Sequence, residues 1–164
     1  MRPLGWPFAV MLVPLFPAAV VASWWLVGDQ TNDEARELAA QGVKLDYSME
    51  PITLGAAGDR VLGIAGCAAV VALVAILVAG SATRRMHRAW WGVAASVVLL
   101  GGYLGLVERT FTAGGIGANI GAGLVFLSVL PCTATFLVPA VSSTVMLVRE
   151  RRRARAERWP VVAS

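Results

Sequence analysis

The chain has 164 residues, of which 57% are hydrophobic and 15% are charged, and its formal net charge is +4. Its mean hydropathy is +0.70. A soluble domain is typically about half apolar and about a quarter charged, so this composition excludes an ordinary soluble domain. The apolar residues fall into long runs separated by short polar segments, which is typical of a multi-pass membrane protein.

Four runs are long enough to cross a bilayer, because a span needs about 20 mostly apolar residues. They cover residues 6–27, 61–82, 89–107 and about 120–148, and none contains Asp, Glu, Lys, Arg or His. The backbone must satisfy its own hydrogen bonds in lipid, so each run is expected to be a helix. We therefore predict an all-α integral membrane protein in which residues 1–148 form a four-helix transmembrane bundle.

The first span follows Arg2 and contains the small residues Val21-Ala22-Ser23, so a cleaved signal peptide is an alternative. The apolar run continues past that site, which favours a retained span. Tryptophan placement supports the span boundaries, because amphipathic rings favour the membrane interface. All six tryptophans fall at predicted span ends or just beyond them: Trp6, Trp24, Trp25, Trp90, Trp91 and Trp159.

Residues 28–60 form the polar segment long enough to fold outside the membrane. Thr31 with Glu34 three positions later is a capping-box signature, and Gly42 is a plausible stop, so we predict a short amphipathic helix between them. Residues 43–49 alternate between apolar and polar, as an extended strand would. We interpret the segment as a lid packed across the helix ends, with a partner-binding surface as the alternative. Its acidic charge excludes nucleic acid as a partner.

Small residues line the second and third spans, and close packing of small residues holds helices together in lipid. The second span has alanines at spacings of three and four: Ala65, Ala68, Ala69, Ala72, Ala75 and Ala79. The third span contains Gly101-x-x-x-Gly105. We expect a compact bundle in which the second and third spans are paired through the six-residue turn at 83–88.

Glu108 and Arg109 end the third span. Counted from Ala89, Glu108 lies about 30 Å along a helix, at the outer interface of the membrane. We interpret it as a boundary marker, after which residues 110–112 leave the helix and glycines form a flexible turn. The alternative is that Glu108, Arg109 and Asn119 form a polar pocket beneath the external segment.

Gly117-x-x-x-Gly121 overlaps the start of the fourth span. These glycines would let the outer end of that span lie close to a neighbouring helix. Farther along, one face carries residues at spacings of four, three, four and three: Ser128, Cys132, Thr135, Pro139 and Ser142. We interpret this seam as a packing surface whose hydroxyls bond carbonyls freed by the prolines. A narrow hydrated path is the alternative, in which Ser128, Thr135 and Ser142 belong to the polar site.

Loop charges predict the orientation, because arginine and lysine favour cytoplasmic loops. Residues 28–60 hold seven acids against three bases, whereas the 83–88 turn holds three arginines and no acid. The basic tail, 149–164, adds six arginines that we expect to contact lipid headgroups: Arg149, Arg151, Arg152, Arg153, Arg155 and Arg158. We therefore place both termini and the 83–88 turn in the cytoplasm, and residues 28–60 outside.

Reactive groups are scarce in this sequence. The single histidine, His87, is expected in a cytoplasmic turn, which excludes haem ligation inside the membrane. Cys67 and Cys132 do not form a CxxC pair, which argues against thiol redox chemistry and metal binding. No span carries the carboxylate, lysine or histidine that proton-coupled transport uses. We assign no catalytic residue, cofactor or metal, and an enzyme is disfavoured.

These observations favour a non-enzymatic protein of a bacterial plasma membrane that acts by helix association. Thirteen of the fourteen basic residues are arginine, a bias that a GC-rich bacterial genome produces. The expected partners are membrane lipids and either other membrane subunits or a second copy of the chain, which makes it an accessory subunit or a self-associating bundle. The alternative is a small permease, channel or lipid- or ligand-binding protein with a polar site at the outer ends of the third and fourth helices.

Overall fold

A computed structural model of the protein describes residues 6–84, 86–115 and 120–156. The described residues form five α-helices and one pair of short strands. In chain order these elements are α1 Trp6–Val27, α2 Asp33–Ala40, β1 Asp46–Tyr47, α3 Gly55–Ala82, α4 Trp90–Phe111, β2 Gly114–Gly115 and α5 Ile120–Ala156. Helices α1, α3, α4 and α5 are each long and apolar enough to cross a membrane, which confirms the expected four long apolar helices.

Helix α3 begins at Gly55, ahead of the predicted start at residue 61. The carboxylate of Asp59 explains the earlier start. It accepts hydrogen bonds from Thr53 Oγ1 at 2.6 Å and from the Leu54 amide at 2.9 Å. These bonds order the residues before the helix and use a backbone donor that has no helical partner.

Helix α4 continues to Phe111, so the expectation that residues 110–112 leave the helix is wrong for Thr110 and Phe111. The hydroxyl of Thr110 donates to the carbonyl of Leu106 at 3.0 Å, and the amide of Thr112 donates to the carbonyl of Glu108 at 3.0 Å. Both bonds follow the helical spacing of four residues and extend the helix to its last turn.

The long helices pack in the order α3–α1–α4–α5. Helix α1 packs extensively on both α3 and α4, and α5 packs extensively on α4 alone. The predicted pairing of the second and third spans is therefore wrong. The short turn joins α3 and α4 at one end, but α1 lies between them because the glycines of both helices face α1.

Glycines bring α3 and α4 close to the central helix. On α3, Gly63 lies against the ring of Trp25, and a Cβ at Gly66 would lie 2.8 Å from Val21 Cγ1. On α4, a Cβ at Gly101 would lie 2.9 Å from the Phe16 carbonyl oxygen. A side chain at any of these positions would force the helices apart, so their spacing depends on glycine.

Gly105 continues the α4 contact one turn farther, where a Cβ would lie 2.5 Å from the Val20 carbonyl oxygen. Between the two glycines, Ser23 Oγ donates to the Gly102 carbonyl at 2.6 Å. Gly101 and Gly105, the first two of the four glycines predicted to pack helices together, thus pack against α1. Gly117 lies outside the described residues, and Gly121 is exposed at the start of α5.

The α4–α5 interface centres on Tyr103. Its hydroxyl shares a 2.6 Å hydrogen bond with Ser128 Oγ, and its ring meets that of Phe136 edge-on with centroids 5.8 Å apart. Nearer the other end of α4, Gly92 lies against Ser143. The remaining faces of α5 are exposed and apolar, as shown by Phe126, 70% exposed, and Leu130, 81% exposed.

The most buried side chains lie near the turn that joins α3 and α4. Leu15 of α1 and Leu77 of α3 are fully buried, and Leu12, Met86 and Ala94 complete the cluster. Trp91 Nε1 also donates to Ser81 Oγ at 3.2 Å there. Helices α3 and α4 come together at the end that carries this turn. They lie apart at the opposite end, where residues 28–54 connect α1 to α3.

The segment between α1 and α3, residues 28–54, contains α2. The start of α2 differs from the predicted one. Asn32 caps it by accepting a 2.7 Å hydrogen bond from the Ala35 amide, so the predicted Thr31 cap is wrong. The predicted stop is confirmed, since Gly42 has a φ of +87° and its amide donates to the Ala39 carbonyl. The left-handed φ favours glycine and closes the helix end.

Two short strands attach this segment to the end of α4. In β1 and β2, Asp46 pairs with Gly115 and Tyr47 with Gly114 in antiparallel register. The predicted strand over 43–49 is therefore shorter than expected. The prediction of a flexible glycine turn is also wrong for Gly114 and Gly115, because their backbone groups pair with β1.

Candidate functional site

An apolar cleft lies at the end of the molecule where α3 and α4 are apart. Helix α1 forms its floor, Ile52 and Leu54 from the segment before α3 line its edge, and its volume is about 260 Å³. The lining residues are Val20, Val21, Trp24, Ile52, Leu54, Asp59, Leu62 and Glu108. Six of these eight side chains are apolar and the other two are carboxylates, and the exposed surface of the cleft is almost wholly apolar.

Glu108 is the residue of this cleft that the sequence predicted. Its Oε2 atom is buried and accepts no hydrogen bond from the described residues. A buried carboxylate oxygen without a donor is costly, because it has lost water and gained nothing in exchange. Glu108 therefore lies in the last turn of α4 and holds a buried, unsatisfied acceptor atom beside the apolar cleft.

Arg109 forms no ion pair with Glu108 in the described part of the chain, although its charge still acts on that carboxylate. Its Nε donates a 2.7 Å hydrogen bond to the carbonyl of Trp24, and its guanidinium carbon lies 3.9 Å from the centroid of the Trp24 ring. Trp24 lies in the last turn of α1, where carbonyls have no helical partner. The arginine thus caps α1 and covers one face of the ring.

The second carboxylate of the cleft, Asp59, is already satisfied. It holds the hydrogen bonds from Thr53 and Leu54 that precede α3. Two acids of similar chemistry therefore differ in one respect: Asp59 stabilises local structure, and Glu108 retains a free acceptor.

Sequence reasoning missed the other cleft residues, because they come from three separate segments. Trp24 lies in the last turn of α1, Ile52 and Leu54 belong to the segment before α3, and Leu62 lies on α3. One signal was available. Asp59 and Glu108 are the acids nearest the predicted outer ends of two spans, so a shared outer site follows if those ends lie near each other.

The predicted polar seam of α5 is not part of the cleft. Ser128 bonds Tyr103, whereas Thr135 and Ser142 are exposed. Thr135 Oγ1 donates to the Pro131 carbonyl at 2.8 Å, and Ser142 Oγ donates to the Pro139 carbonyl at 3.1 Å. The structure therefore does not bring these three hydroxyls together.

The predicted acceptors of the seam are also different from the observed ones. A proline frees the carbonyl four residues before it, which is Leu127 for Pro131 and Thr135 for Pro139. The hydroxyls of Thr135 and Ser142 instead bond the proline carbonyls themselves, and that of Ser128 donates to the Val125 carbonyl, in the local back-bonding that serine and threonine favour within helices.

The other predicted site residues lie away from the cleft or outside the described residues. Asn119 falls outside them, so the pocket predicted from Glu108, Arg109 and Asn119 has two described members. Of the tail, Arg149, Arg152 and Arg153 are exposed on α5. The backbone of α5 continues through Arg151 and Arg155, and Arg158 lies outside the described residues.

The basic end has its own polar contact. His87 Nε2 lies 3.2 Å from Glu150 Oε2, and His87 Nδ1 accepts from the Ala89 amide at 3.2 Å. The 86–88 turn and the start of the tail therefore lie at one end, opposite the acidic external segment. Over residues 6–84, 86–115 and 120–156, no three His, Cys, Asp or Glu side chains are placed to hold a metal ion.

The chain was compared with known proteins at the level of family, sequence and structure. It matches no family model, no curated protein and no solved structure.

Proposed function

We propose that the chain is a non-enzymatic integral protein of a bacterial plasma membrane that acts by helix association, as an accessory subunit of a membrane complex or by self-association. Four long apolar helices support the membrane location. The acidic and basic ends support an orientation with residues 28–60 outside and both termini and the 83–88 turn in the cytoplasm.

The observation that carries the proposal is an exposed alanine seam on α3. Its members follow spacings of three, four, three and four residues: Ala65, Ala68, Ala72, Ala75 and Ala79, all of them exposed. The glycines of α3 contact α1 from another face, as Gly63 and Gly66 do. The seam therefore takes no part in the packing of α3 on α1 and remains exposed.

A seam of this kind suits a second helix. Small side chains let two backbones approach closely, and van der Waals packing is the main force that joins helices in lipid. Larger exposed residues flank the seam on its two sides, among them Val71, 69% exposed, and Ile76, 42% exposed. They would form the walls of a groove that receives the partner helix.

The permease alternative has less support. A path along α5 requires its hydroxyls to face other helices, but Thr135 and Ser142 are exposed and bond their own helix. Their hydroxyls are thus used in local hydrogen bonds.

The test is native mass spectrometry of the protein released gently from its own membrane. We expect an assembly of two or more chains, and we expect Ala72→Ile to shift it toward the monomer by blocking close approach. The matched control is Ala134→Ile, which adds the same volume at an exposed position of α5. A monomeric wild type, or an assembly that survives Ala72→Ile unchanged, would contradict the proposal.

A further inference from the structure

A basic cavity lies at the end of the molecule where the short turn joins α3 to α4. Its volume is about 560 Å³. The described residues that line it are Ser81, Ala82, Arg84, Met86, His87 and Arg88. Two of these six residues are arginines and none is an acid, so the described lining carries positive charge.

Both arginines of the cavity are within reach of a ligand. Arg84 and Arg88 are exposed, and neither forms an ion pair or a side-chain hydrogen bond with the described residues. A guanidinium presents its donors in a planar fork that fits the oxygens of a carboxylate or a phosphate. The cavity therefore offers accessible donors as well as positive charge.

Glu150 is the acid that the described residues place beside this cavity. Its Oε2 lies 3.2 Å from His87 Nε2, and His87 Nδ1 accepts from the Ala89 amide, so both ring nitrogens are in use. Arg149 and Arg153 line a neighbouring cavity together with Glu150. Glu150 thus has basic neighbours on its own helix, and the two arginines of the turn remain available to an anion.

Ser81 adds an uncharged donor to the cavity. Its Oγ accepts a 3.2 Å hydrogen bond from Trp91 Nε1, and no described residue accepts the proton of this hydroxyl. The indole holds the oxygen in place while the O–H group stays free. Two guanidinium groups and a hydroxyl are suited to the several oxygens of a phosphate.

The depth of the cavity indicates where such a phosphate comes from. Helix α4 has 22 residues and is therefore about 33 Å long, slightly more than a hydrocarbon core of about 30 Å, so its first turn lies at the headgroup level. Trp91 in that turn agrees with this depth, because indole rings favour the interface. Val78 lies one turn below Ser81 and Ala82 on α3 and is 49% exposed. An apolar surface thus continues from the cavity into the membrane, which favours a phospholipid over a soluble anion.

We infer that this cavity binds the headgroup of an anionic phospholipid, whose phosphate oxygens accept from Arg84, Arg88 and the Ser81 hydroxyl while an acyl chain covers Val78. A zwitterionic headgroup is disfavoured, because its cationic part is repelled by the two guanidinium groups. In the proposed orientation the lipid belongs to the cytoplasmic leaflet. The site differs from the general headgroup contact expected of the tail, since it is built from α3 and the turn that follows it.

The experiment uses the full-length protein in nanodiscs that contain phosphatidylglycerol and phosphatidylcholine with identical acyl chains, followed by native mass spectrometry of the released protein. We expect phosphatidylglycerol to be retained about tenfold over phosphatidylcholine, because each basic residue near the membrane surface favours an anionic lipid about fivefold. Equal retention of the two lipids would overturn the inference.

Three substitutions of arginine locate the site. Arg84→Gln and Arg88→Gln should each lower the preference about fivefold. The matched control is Arg152→Gln, which removes the same charge from an exposed position of α5 at the same end of the molecule and should leave the preference nearly unchanged. An equal loss in all three variants would show a diffuse attraction to the basic end and refute the site, as would a preference that survives Arg84→Gln.

Ser81 tests the hydrogen bonding without a change of charge. Ser81→Ala should lower the preference about fivefold, whereas Ser81→Thr retains a hydroxyl and should keep most of it. An unchanged preference in Ser81→Ala would contradict the donor set that the inference requires.

Inorganic phosphate distinguishes a lipid from a soluble anion. Added in millimolar excess to the released protein with its bound lipid, it should leave the lipid in place, because free phosphate has no chain to cover Val78. Displacement of the lipid by inorganic phosphate would assign the cavity to a soluble anion and overturn the choice of ligand.

Discussion

Arg109 holds the end of α1 through Trp24 in two ways, with a 2.7 Å hydrogen bond from Nε to the backbone carbonyl and with its guanidinium 3.9 Å from the centroid of the indole ring. One arginine thus connects α4 to the terminal turn of α1. Because Arg109 is directed to Trp24, its neighbour Glu108 is left without a donor in the cleft. The two residues are adjacent in the chain, but Arg109 donates to a helix-end carbonyl whereas Glu108 keeps an acceptor atom without a donor.

Substitution of Arg109 should loosen the contact between α1 and α4. Arg109→Ala removes a charge-assisted hydrogen bond worth about 1.5–3 kcal/mol and the stacking on Trp24, so the free energy of unfolding should fall by about 2 kcal/mol. Arg109→Lys should recover only part of this, because an ammonium does not reproduce the planar contact. Unfolding in mixed micelles with increasing SDS measures the effect. Arg60→Ala, at an exposed position, is the control and should change the free energy little.

Two neighbouring glycines on α4 should respond in opposite directions to alanine. Gly105→Ala places a Cβ 2.5 Å from the Val20 carbonyl oxygen and should cost about 1–3 kcal/mol. Gly102→Ala meets nothing within 4 Å and should stabilise the helix by about 0.5–1 kcal/mol. The same unfolding titration compares them. Equal effects of the two substitutions would show that α4 does not pack on α1 through this face.

The turn after α3 contains a strained residue. Arg84 has a φ of +53°, a left-handed conformation that favours glycine. Arg84→Gly should therefore raise the free energy of unfolding by about 1 kcal/mol. Arg88→Gly removes the same charge from the same turn without relieving a positive φ, and it should give no gain. A stabilisation by both substitutions would assign the effect to charge instead of backbone strain.

Asp29 should make the external segment sensitive to acid. Partial burial acts to raise the pKa of Asp29, but the hydrogen bonds from the Thr31 amide and hydroxyl and the charge of Arg36 outweigh it and hold the pKa below its ordinary value of 3.8. A lowered pKa means that Asp29 contributes its stabilisation fully above pH 3.8 and loses it as the pH falls through the lowered value.

The amide of Gly114 provides the readout, because it donates to Thr31 Oγ1 at 2.9 Å. Its protection factor in hydrogen exchange should be constant above pH 3.8 and fall in more acidic solution. Asp29→Asn should lower the protection at neutral pH and flatten the acid dependence. A protection factor that falls already between pH 5 and 7 would assign the transition to another group, in conflict with this prediction.

The long helices were predictable from the sequence, but their neighbours were not. Runs of apolar residues without charges define a helix in lipid whatever it packs against. The spacing of Gly101 and Gly105 indicates a close approach, yet it carries no information about which helix approaches. The short turn suggested α3 as the neighbour, whereas the interlocking of glycines with Phe16 and Val20 selects α1.

The details of the candidate site depend on tertiary contacts that local patterns do not contain. Thr31 and Asn32 are both competent helix caps, and Thr31 is used instead to bind the Gly114 amide. The face of α5 from Ser128 to Ser142 drifts by about 40° over two heptads, so its first hydroxyl meets α4 and its last is exposed. Glu108 was identified as the acid at a helix end, but its apolar surroundings come from distant segments.

The packing order α3–α1–α4–α5 has a consequence for synthesis of the chain. Helix α1 leaves the ribosome first, and α3 and α4, which follow, both dock on it. Helix α5 leaves last and docks on α4, which is already present. Each long helix after α1 therefore finds a partner among segments that were made before it, so the protein can assemble span by span during insertion.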